Sequence, residues 1–285
     1  MKFSYILDSS LILKYWNILP TVVLIWFVSK WLYFKLKYRN EILRNSEEVN
    51  VQSNYSNESF VYHPALEEKE HVPYRGATKI LPGGALQFYQ MMKDRRSVRD
   101  FKREPIPDQS VLENCIRAAG TSPSGAHTEP WTFCLISSAD LKKSIRDIVE
   151  SEEEINYSQR MHKQWTTDLR PLKTNHVKPY LTDAPYLILV FKQIYGMTKQ
   201  GTRKQHYYNE ISVSISVGIL LCALQAAGLN SLVTTPLNCG PALRVLLNRP
   251  ANEKLLVLLP VGYAAEACKI PDIQRKPLKD IFVRF

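Results

Sequence analysis

The chain has 285 residues, 45% of them hydrophobic, and a formal net charge of +10. That length holds one ample domain plus appendages, and the apolar content is that of a folded protein. Half of the positive excess lies in residues 1–45, which carry seven Lys/Arg against two Asp/Glu; the rest is dispersed, with no aromatic-basic groove or RNP-like run, which argues against nucleic acid as a partner.

Residues 1–14 form an N-terminal tail. Ile18 to Ser29 (ILPTVVLIWFVS) carries no charge. If Lys30 snorkels, the apolar stretch from Tyr15 to Phe34 is about 20 residues, enough to cross a bilayer as one helix. Trp16, Trp31 and Tyr33 are placed as interfacial aromatics, and Pro20 is tolerable in a lone spanning helix. A cleaved signal peptide fits less well, because Ser29-Lys30-Trp31 is a poor cleavage site. Lys30, Lys35, Lys37, Arg39 and Arg44 follow the span, whereas only Lys2 and Lys14 precede it. The positive-inside bias puts the C-terminal part in the cytosol. Asn-x-Ser sequons start at Asn54, Asn57 and Asn156 and would matter only in a lumenal protein.

Residues 35–80 are read as a polar tether, acidic and poor in aliphatic residues from position 46 onward. A folded domain is expected over 81–285. Ala85 to Asp94 has helical spacing, and Asp108 is placed to cap a helix that carries Leu112, Ile116 and Ala119. Trp131–Ile136, Tyr186–Phe191 and Leu255–Val261 read as buried strands, with Leu232–Thr235 as a shorter one. Ile211 to Ala227 reads as a helix ended by Gly228; it is judged too short for a membrane span, and its small residues suit close packing in a core or a dimer interface. Strands interleaved with helices predict a mixed αβ domain.

The five cysteines (Cys115, Cys134, Cys222, Cys239 and Cys268) form no C-x-x-C, and no His pair has zinc-like spacing. Reduced thiols and no metal are expected.

Two segments carry the functional signal. Arg95 to Phe101 (RRSVRDF) places three arginines and a serine at the end of a helix. Arginine forks and a hydroxyl suit a phosphate. Taken alone, the run reads first as a solvated basic patch, where cations complement a helix C-terminus. Pro123 to Trp131 (PSGAHTEPW) is a Ser/Gly/Pro turn whose amides could face a ring system. The chain holds neither G-x-G-x-x-G nor a P-loop. Thr234 and Thr235 read locally as ordinary strand residues. Ser151 to Tyr157 (SEEEINY) reads as the acidic start of a helix, where carboxylates complement the dipole. Glu153 and Tyr157 are four apart and share one face, and Lys178 follows in a polar segment.

The two segments together resemble the flavin-binding signature of the nitroreductase superfamily, from Leu81 to the C-terminus. Glu153, Tyr157 and Lys178 narrow the resemblance to its iodotyrosine deiodinase family; residues 1–80 resemble that family in plan only. The resemblance implies an α+β fold with a mixed central sheet flanked by helices, in an intertwined homodimer that holds FMN at the subunit interface. Arg95, Arg96, Ser97 and Arg99 would contact the FMN phosphate and pyrimidine edge, with Arg275 returning near the phosphate. Pro123 and Ser124 would reach the flavin from the partner subunit, and the stretch from Lys269 to Phe285 would wrap that partner. Thr234 and Thr235 would lie at the flavin, and the Thr235 hydroxyl would donate to flavin N5, favouring one-electron steps. Glu153 would pair with a substrate ammonium, Lys178 with its carboxylate, and Tyr157 would cover the ring. The Ala126 amide would hold the phenolate. The implied reaction is reductive dehalogenation of mono- and diiodotyrosine, with electrons from NADPH directly or through a reductase. A general NAD(P)H-dependent nitro or quinone reductase and a non-catalytic halotyrosine-binding flavoprotein are the alternatives.

Overall fold

The computed structural model describes residues 21–33, 35, 36, 66, 68–74, 76, 81–198, 201 and 203–285. Internal contacts divide the chain into two units, Met1–Val61 and Tyr62–Phe285. In the first, Thr21–Tyr33 is an apolar helix, α1. Residues 15–20 of the expected span, Phe34, and most of the tether lie outside the described residues. The Lys30 ammonium lies 4.8 Å from the Trp26 ring centroid.

The second unit is built on four strands: β1 (Trp131–Ile136), β2 (Tyr186–Gln193), β5 (Asn230–Ser231) and β6 (Glu253–Gly262), in the order β1-β2-β6-β5. These ladders are antiparallel, and a parallel bridge between Ser97 and Ser231 makes the sheet mixed. A separate hairpin pairs β3 (Tyr195–Met197) with β4 (Arg203–Gln205).

The near-continuous apolar run of β2 marks a strand covered on both faces. Successive side chains of a strand point to opposite faces. Leu187, Leu189 and Phe191 accordingly enter one core with Ile145, Val149 and Leu243. Ile188 and Val190 enter a second core with Leu112, Ala119, Val213 and Leu220. The first core is covered by α4 (Ala139–Ile155) and α8 (Gly240–Leu246), the second by α3 (Gln109–Ala119) and α7 (Asn209–Ala226). The remaining helices are α2 (Gly84–Lys93), α5 (Lys163–Leu169) and α6 (Tyr180–Asp183). Asp108 caps α3 as its position predicts, its carboxylate accepting from the Ser110 amide at 2.8 Å.

Two expectations are corrected. Leu232–Thr235 does not form a continuous strand. The register of β5 against β6 carries on to a Thr234–Leu258 bridge, but Leu232 meets Pro260. The Leu232 amide donates to the Pro260 carbonyl at 3.3 Å, and proline has no N–H to return the bond, so the ladder is broken there. Second, length does not exclude α7 from a membrane: with 18 residues it is long and apolar enough to cross one. Its packing decides the matter. Val213, Leu220 and Leu224 are buried in the domain core, and the buried Ser216 hydroxyl donates to the Ala119 carbonyl of α3 at 2.7 Å. Ile211, Ile215 and Gly218 remain exposed along its other side.

Leu189 is fully buried in the central strand. Leu189→Ala should therefore lower the unfolding free energy by about 2–5 kcal/mol, measured by urea denaturation; a loss within a few tenths of a kcal/mol would mean that β2 is not the centre of the core.

Candidate functional site

The arginine run leaves α2 and joins the sheet margin. The Val98 amide donates to Ser231 O at 3.2 Å, Lys102 N to Tyr263 O at 2.9 Å, and Ala265 N to Asp100 O at 2.9 Å. Val98 is thereby buried, while Arg95, Arg96, Ser97 and Arg99 keep part of their surface. Arg275 returns to this place: its guanidinium donates to Lys93 O at 2.9 Å and Arg95 O at 2.7 Å. Arg96 also donates to Lys93 O, at 2.6 Å. Among the described residues, no carboxylate forms an ion pair with Arg95, Arg96, Arg99 or Arg275. Guanidinium groups with no acidic partner are suited to a phosphate dianion, and Arg275 and Arg96 spend part of their donors on the backbone of this run.

The segment that pairs with this run through Ser231 continues to the two threonines. Thr234 is committed to the protein: its hydroxyl donates to Leu258 O at 2.7 Å, and its amide and carbonyl both bond to Leu258. Thr235 alternates to the other side and is exposed.

The turn at Pro123–Trp131 is tight. Ala126 and His127 have φ of 50° and 49°, values uncommon for residues with a side chain. The turn bonds run from His127 N to Ser124 O and from Thr128 N to Gly125 O, both 3.1 Å, and neither uses the Ala126 amide. Gly125 is required by a close approach, since a Cβ there would lie 2.8 Å from the Tyr207 carbonyl oxygen. Pro123 and Ala126 are exposed. Among the described residues, no hydrogen bond or ion pair joins Pro123–Ala126 to the arginine run or to Glu153, Tyr157 and Lys178.

The glutamates correct the expectation from sequence. They lie at the C-terminal end of α4, not at the start of a helix, and the chain then widens into a π-turn over Asn156–Arg160. A helix C-terminus repels carboxylates, so dipole complementarity does not account for Glu152, Glu153 and Glu154. Glu152 is paired instead with Arg160 at 2.8 Å. Glu153 is buried and faces Lys178, with 3.5 Å between Oε2 and Nζ. The Lys178 ammonium lies 5.2 Å from the Tyr157 ring centroid, so the structure brings the three residues together. Burial lowers the Lys178 pKa, and Glu153 opposes the shift. Burial raises that of Tyr157, against a hydrogen bond to Thr174. Beside these larger causes, the positive charge of Arg99 lowers the pKa of Tyr157 and Lys178.

One face of α4 locks this cluster in place. Lys142, Arg146 and Glu150 are spaced four apart, one above the other. The buried Lys142 ammonium donates to Ala184 O at 2.8 Å and Pro185 O at 3.2 Å, capping α6. Arg146 donates to the Thr182 hydroxyl at 2.9 Å and pairs with Glu150 at 2.7 Å. Glu150 accepts the Lys178 amide at 2.6 Å. Sequence reasoning passed over these residues, and over Asn156 and Tyr180, although the four-residue spacing was there to be read. Asn156, noted only as a sequon, has no exposed surface and cannot accept a glycan in the folded chain. The cysteines are all free, and burial pushes the Cys239 thiol up to about 12, which keeps it protonated.

Residues 92–263 match the model of the Nitroreductase family. The iodotyrosine deiodinase of Drosophila melanogaster is 58% identical over 291 aligned positions, covering 100% of both chains. The chain belongs to the nitroreductase family, in its iodotyrosine deiodinase branch. Iodotyrosine deiodinase 1 of Homo sapiens is 51% identical, over 86% of this chain and 84% of its own. A crystal structure of oxidized iodotyrosine deiodinase bound to FMN and 3-iodo-L-tyrosine superposes with a TM-score of 0.58 at 32% identity, covering 70% of this chain and 98% of that one. A BluB-like flavoprotein from Clostridium difficile 630, 20% identical with a TM-score of 0.55, shares the fold.

The lowered Lys178 pKa has a sign that can be tested. Between its folded value and the ordinary 10.5, the unfolded chain holds the proton and the folded chain has lost it. Stability therefore rises with pH across that window. Lys178→Met should flatten the rise, as seen in urea unfolding from neutral pH to 10.5; an unchanged slope would place the ammonium in solvent.

Proposed function

We infer that this protein catalyses FMN-dependent reductive deiodination of iodotyrosine. The observation that carries the reading is the buried Glu153–Lys178 pair beside Tyr157, in a chain 58% identical to a named deiodinase along its whole length. An amino acid presents an ammonium and a carboxylate on one carbon. Glu153 and Lys178, paired with each other at 3.5 Å, offer the two complementary charges. Binding exchanges one ion pair for two, so neither buried charge is left uncompensated. Tyr157 lies beside both groups, supporting its assignment as the residue that covers the substrate ring. The turn that presents the Ala126 amide without using it is the candidate holder of the phenolate oxygen, as a fixed backbone donor.

The donor set fits FMN. Arg95, Arg96, Ser97, Arg99 and Arg275 would hold its phosphate and pyrimidine edge, and the exposed Thr235 hydroxyl would meet flavin N5. Thr234 holds the strand edge from which Thr235 projects. Replacing iodide by hydrogen takes two electrons and one proton and releases iodide, and reduced FMN supplies the electrons when bound. Glu153, Tyr157 and Lys178 would close over the substrate and exclude water, and the Ala126 amide would hold it as its phenolate. Iodine lowers the phenol pKa, so more of the iodinated substrate than of tyrosine is in the binding form at neutral pH.

Several features extend this reading. Among the described residues no hydrogen bond joins Pro123, Ser124 or Ala126 to the arginine run, and α7 leaves Ile211, Ile215 and Gly218 uncovered. The C-terminal stretch exposes Ile273, Leu278, Ile281 and Phe282. These surfaces support a homodimer in which the turn of one subunit completes the flavin site of its partner. The apolar helix α1, with the flanking charge of the sequence, supports a single-pass anchor over residues 15–34 with the domain of residues 81–285 on the cytosolic side. NADPH, directly or through a reductase, is the proposed electron source.

A single turnover tests the chemistry. Protein reduced anaerobically with dithionite and mixed with 3-iodotyrosine should yield stoichiometric tyrosine and iodide; bound FMN without tyrosine would leave the fold and remove the activity. Lys178→Ala should weaken 3-iodotyrosine binding by about 1.5–3 kcal/mol, the loss of a charge-assisted hydrogen bond, read from quenching of FMN fluorescence. Unchanged affinity would take Lys178 out of the site.

A further inference from the structure

Asn156 is a polar side chain with no exposure, set where the α-helix gives way to the π-turn. Its Nδ2 donates to Glu153 Oε1 at 3.3 Å and to the Leu237 carbonyl at 3.1 Å. Its Oδ1 accepts from Arg160 Nη1 at 3.1 Å and from Asn238 Nδ2 at 3.3 Å. An asparagine side chain has two donor hydrogens and two acceptor lone pairs, so its capacity is filled. The partners also fix which way the amide points: turned over, its oxygen would face a carboxylate and a carbonyl.

We propose that Asn156 is the positioning residue for the carboxylate that binds the substrate ammonium, tying Glu153 to the turn that follows Thr235. The terminal torsion of a glutamate is broad, so a carboxylate held on one side only would swing. Lys178 faces Oε2, and Asn156 holds Oε1 from the other side. The same amide group is anchored to Leu237 and Asn238, next in the chain to Thr235 and Pro236. The acid that grips the substrate and the hydroxyl assigned to the cofactor are therefore located by one shared node. The proposal rests on the deiodinase reading above and adds to it a residue that does not touch the substrate.

The test uses the full-length FMN-loaded protein and two ligands, 3-iodo-L-tyrosine and its des-amino analogue 3-(4-hydroxy-3-iodophenyl)propanoate, each titrated by quenching of FMN fluorescence. Asn156→Ala should raise the Kd for iodotyrosine by roughly 10-fold or more, the loss expected when a hydrogen bond to a charged group is removed. The Kd for the analogue, which lacks the ammonium, should stay within about two-fold. In a Glu153→Ala background the same substitution should add nothing. Asn238→Gly covers the case in which Asn156→Ala does not fold. Asn238 is exposed with φ of 64°, a conformation glycine adopts freely. Freeing one bond to Asn156 should weaken iodotyrosine binding by about three-fold, again without affecting the analogue. Equal weakening of both ligands, or no change in either, overturns the proposal. A wild-type protein that binds both ligands equally well overturns the assignment of Glu153 itself, and the proposal falls with it.

Discussion

A carboxylate and an ammonium, each almost wholly withdrawn from water and 3.5 Å apart, are the constraint around which this molecule is arranged. Taking two charges out of water costs several kcal/mol per ion, and Coulomb attraction offsets that only when further hydrogen bonds complete both groups. The surroundings of Glu153 and Lys178 meet that condition. Asn156 supports the acid, while Thr174 and the Asn175 carbonyl accept from the base. A pair of this kind is weak evidence for stability. It is a natural receptor for a zwitterion, which offers each buried group a partner of the opposite sign.

Holding the pair requires rigid elements on both sides. On one side the acid stands at the end of α4, a helix of 17 residues that packs on the central sheet through Ile145 and Val149. On the other, Lys178 stands just before α6, and the stretch from Lys178 to Pro185 is clamped to α4 by the Lys142, Arg146 and Glu150 ladder. The clamp explains why a lysine distant in sequence returns to the glutamate: on one helix face Lys142 and Glu150 hold the returning segment by its backbone, and Arg146 holds it by the Thr182 hydroxyl. The sheet margin fixes the course of the arginine run. The Val98 amide donates to Ser231 and its side chain turns inward, while the neighbouring Arg99 keeps part of its surface and its positive charge lowers the pKa of Tyr157 and Lys178.

The same margin explains the division of labour between two adjacent threonines. Pro260 interrupts the ladder opposite Leu232, and pairing resumes at Thr234, whose side chain and backbone are all engaged with Leu258. Thr235 therefore projects away from that edge, with its hydroxyl available to a ligand. Two residues identical in chemistry differ in surroundings because strand alternation sends them to opposite sides.

Sequence by itself determined the elements that rest on local chemistry. The apolar run of β2, the helical spacing of α3 with its Asp108 cap, and the long α7 closed by Gly228 are written in periodicity and capping residues. So is the phosphate-suited chemistry of Arg95, Arg96 and Arg99, because guanidinium forks have that chemistry wherever they sit. What sequence left open depended on neighbours distant in the chain. The acidic run read as a helix start because carboxylates usually stand there; only the packed structure put it at a helix end, where the dipole opposes it and Lys178 and Arg160 take its place. Length did not settle the nature of α7, whereas its contacts with α3 and the sheet did. Asn156 read as a possible glycan acceptor and proved to be a buried node, since a side chain's four hydrogen-bond partners are chosen by tertiary proximity and leave no mark on the local pattern. Period, caps and charge are properties of a segment; burial and pairing belong to the fold, and it is burial that sets Glu153 and Lys178 apart from the ordinary charged residues around them.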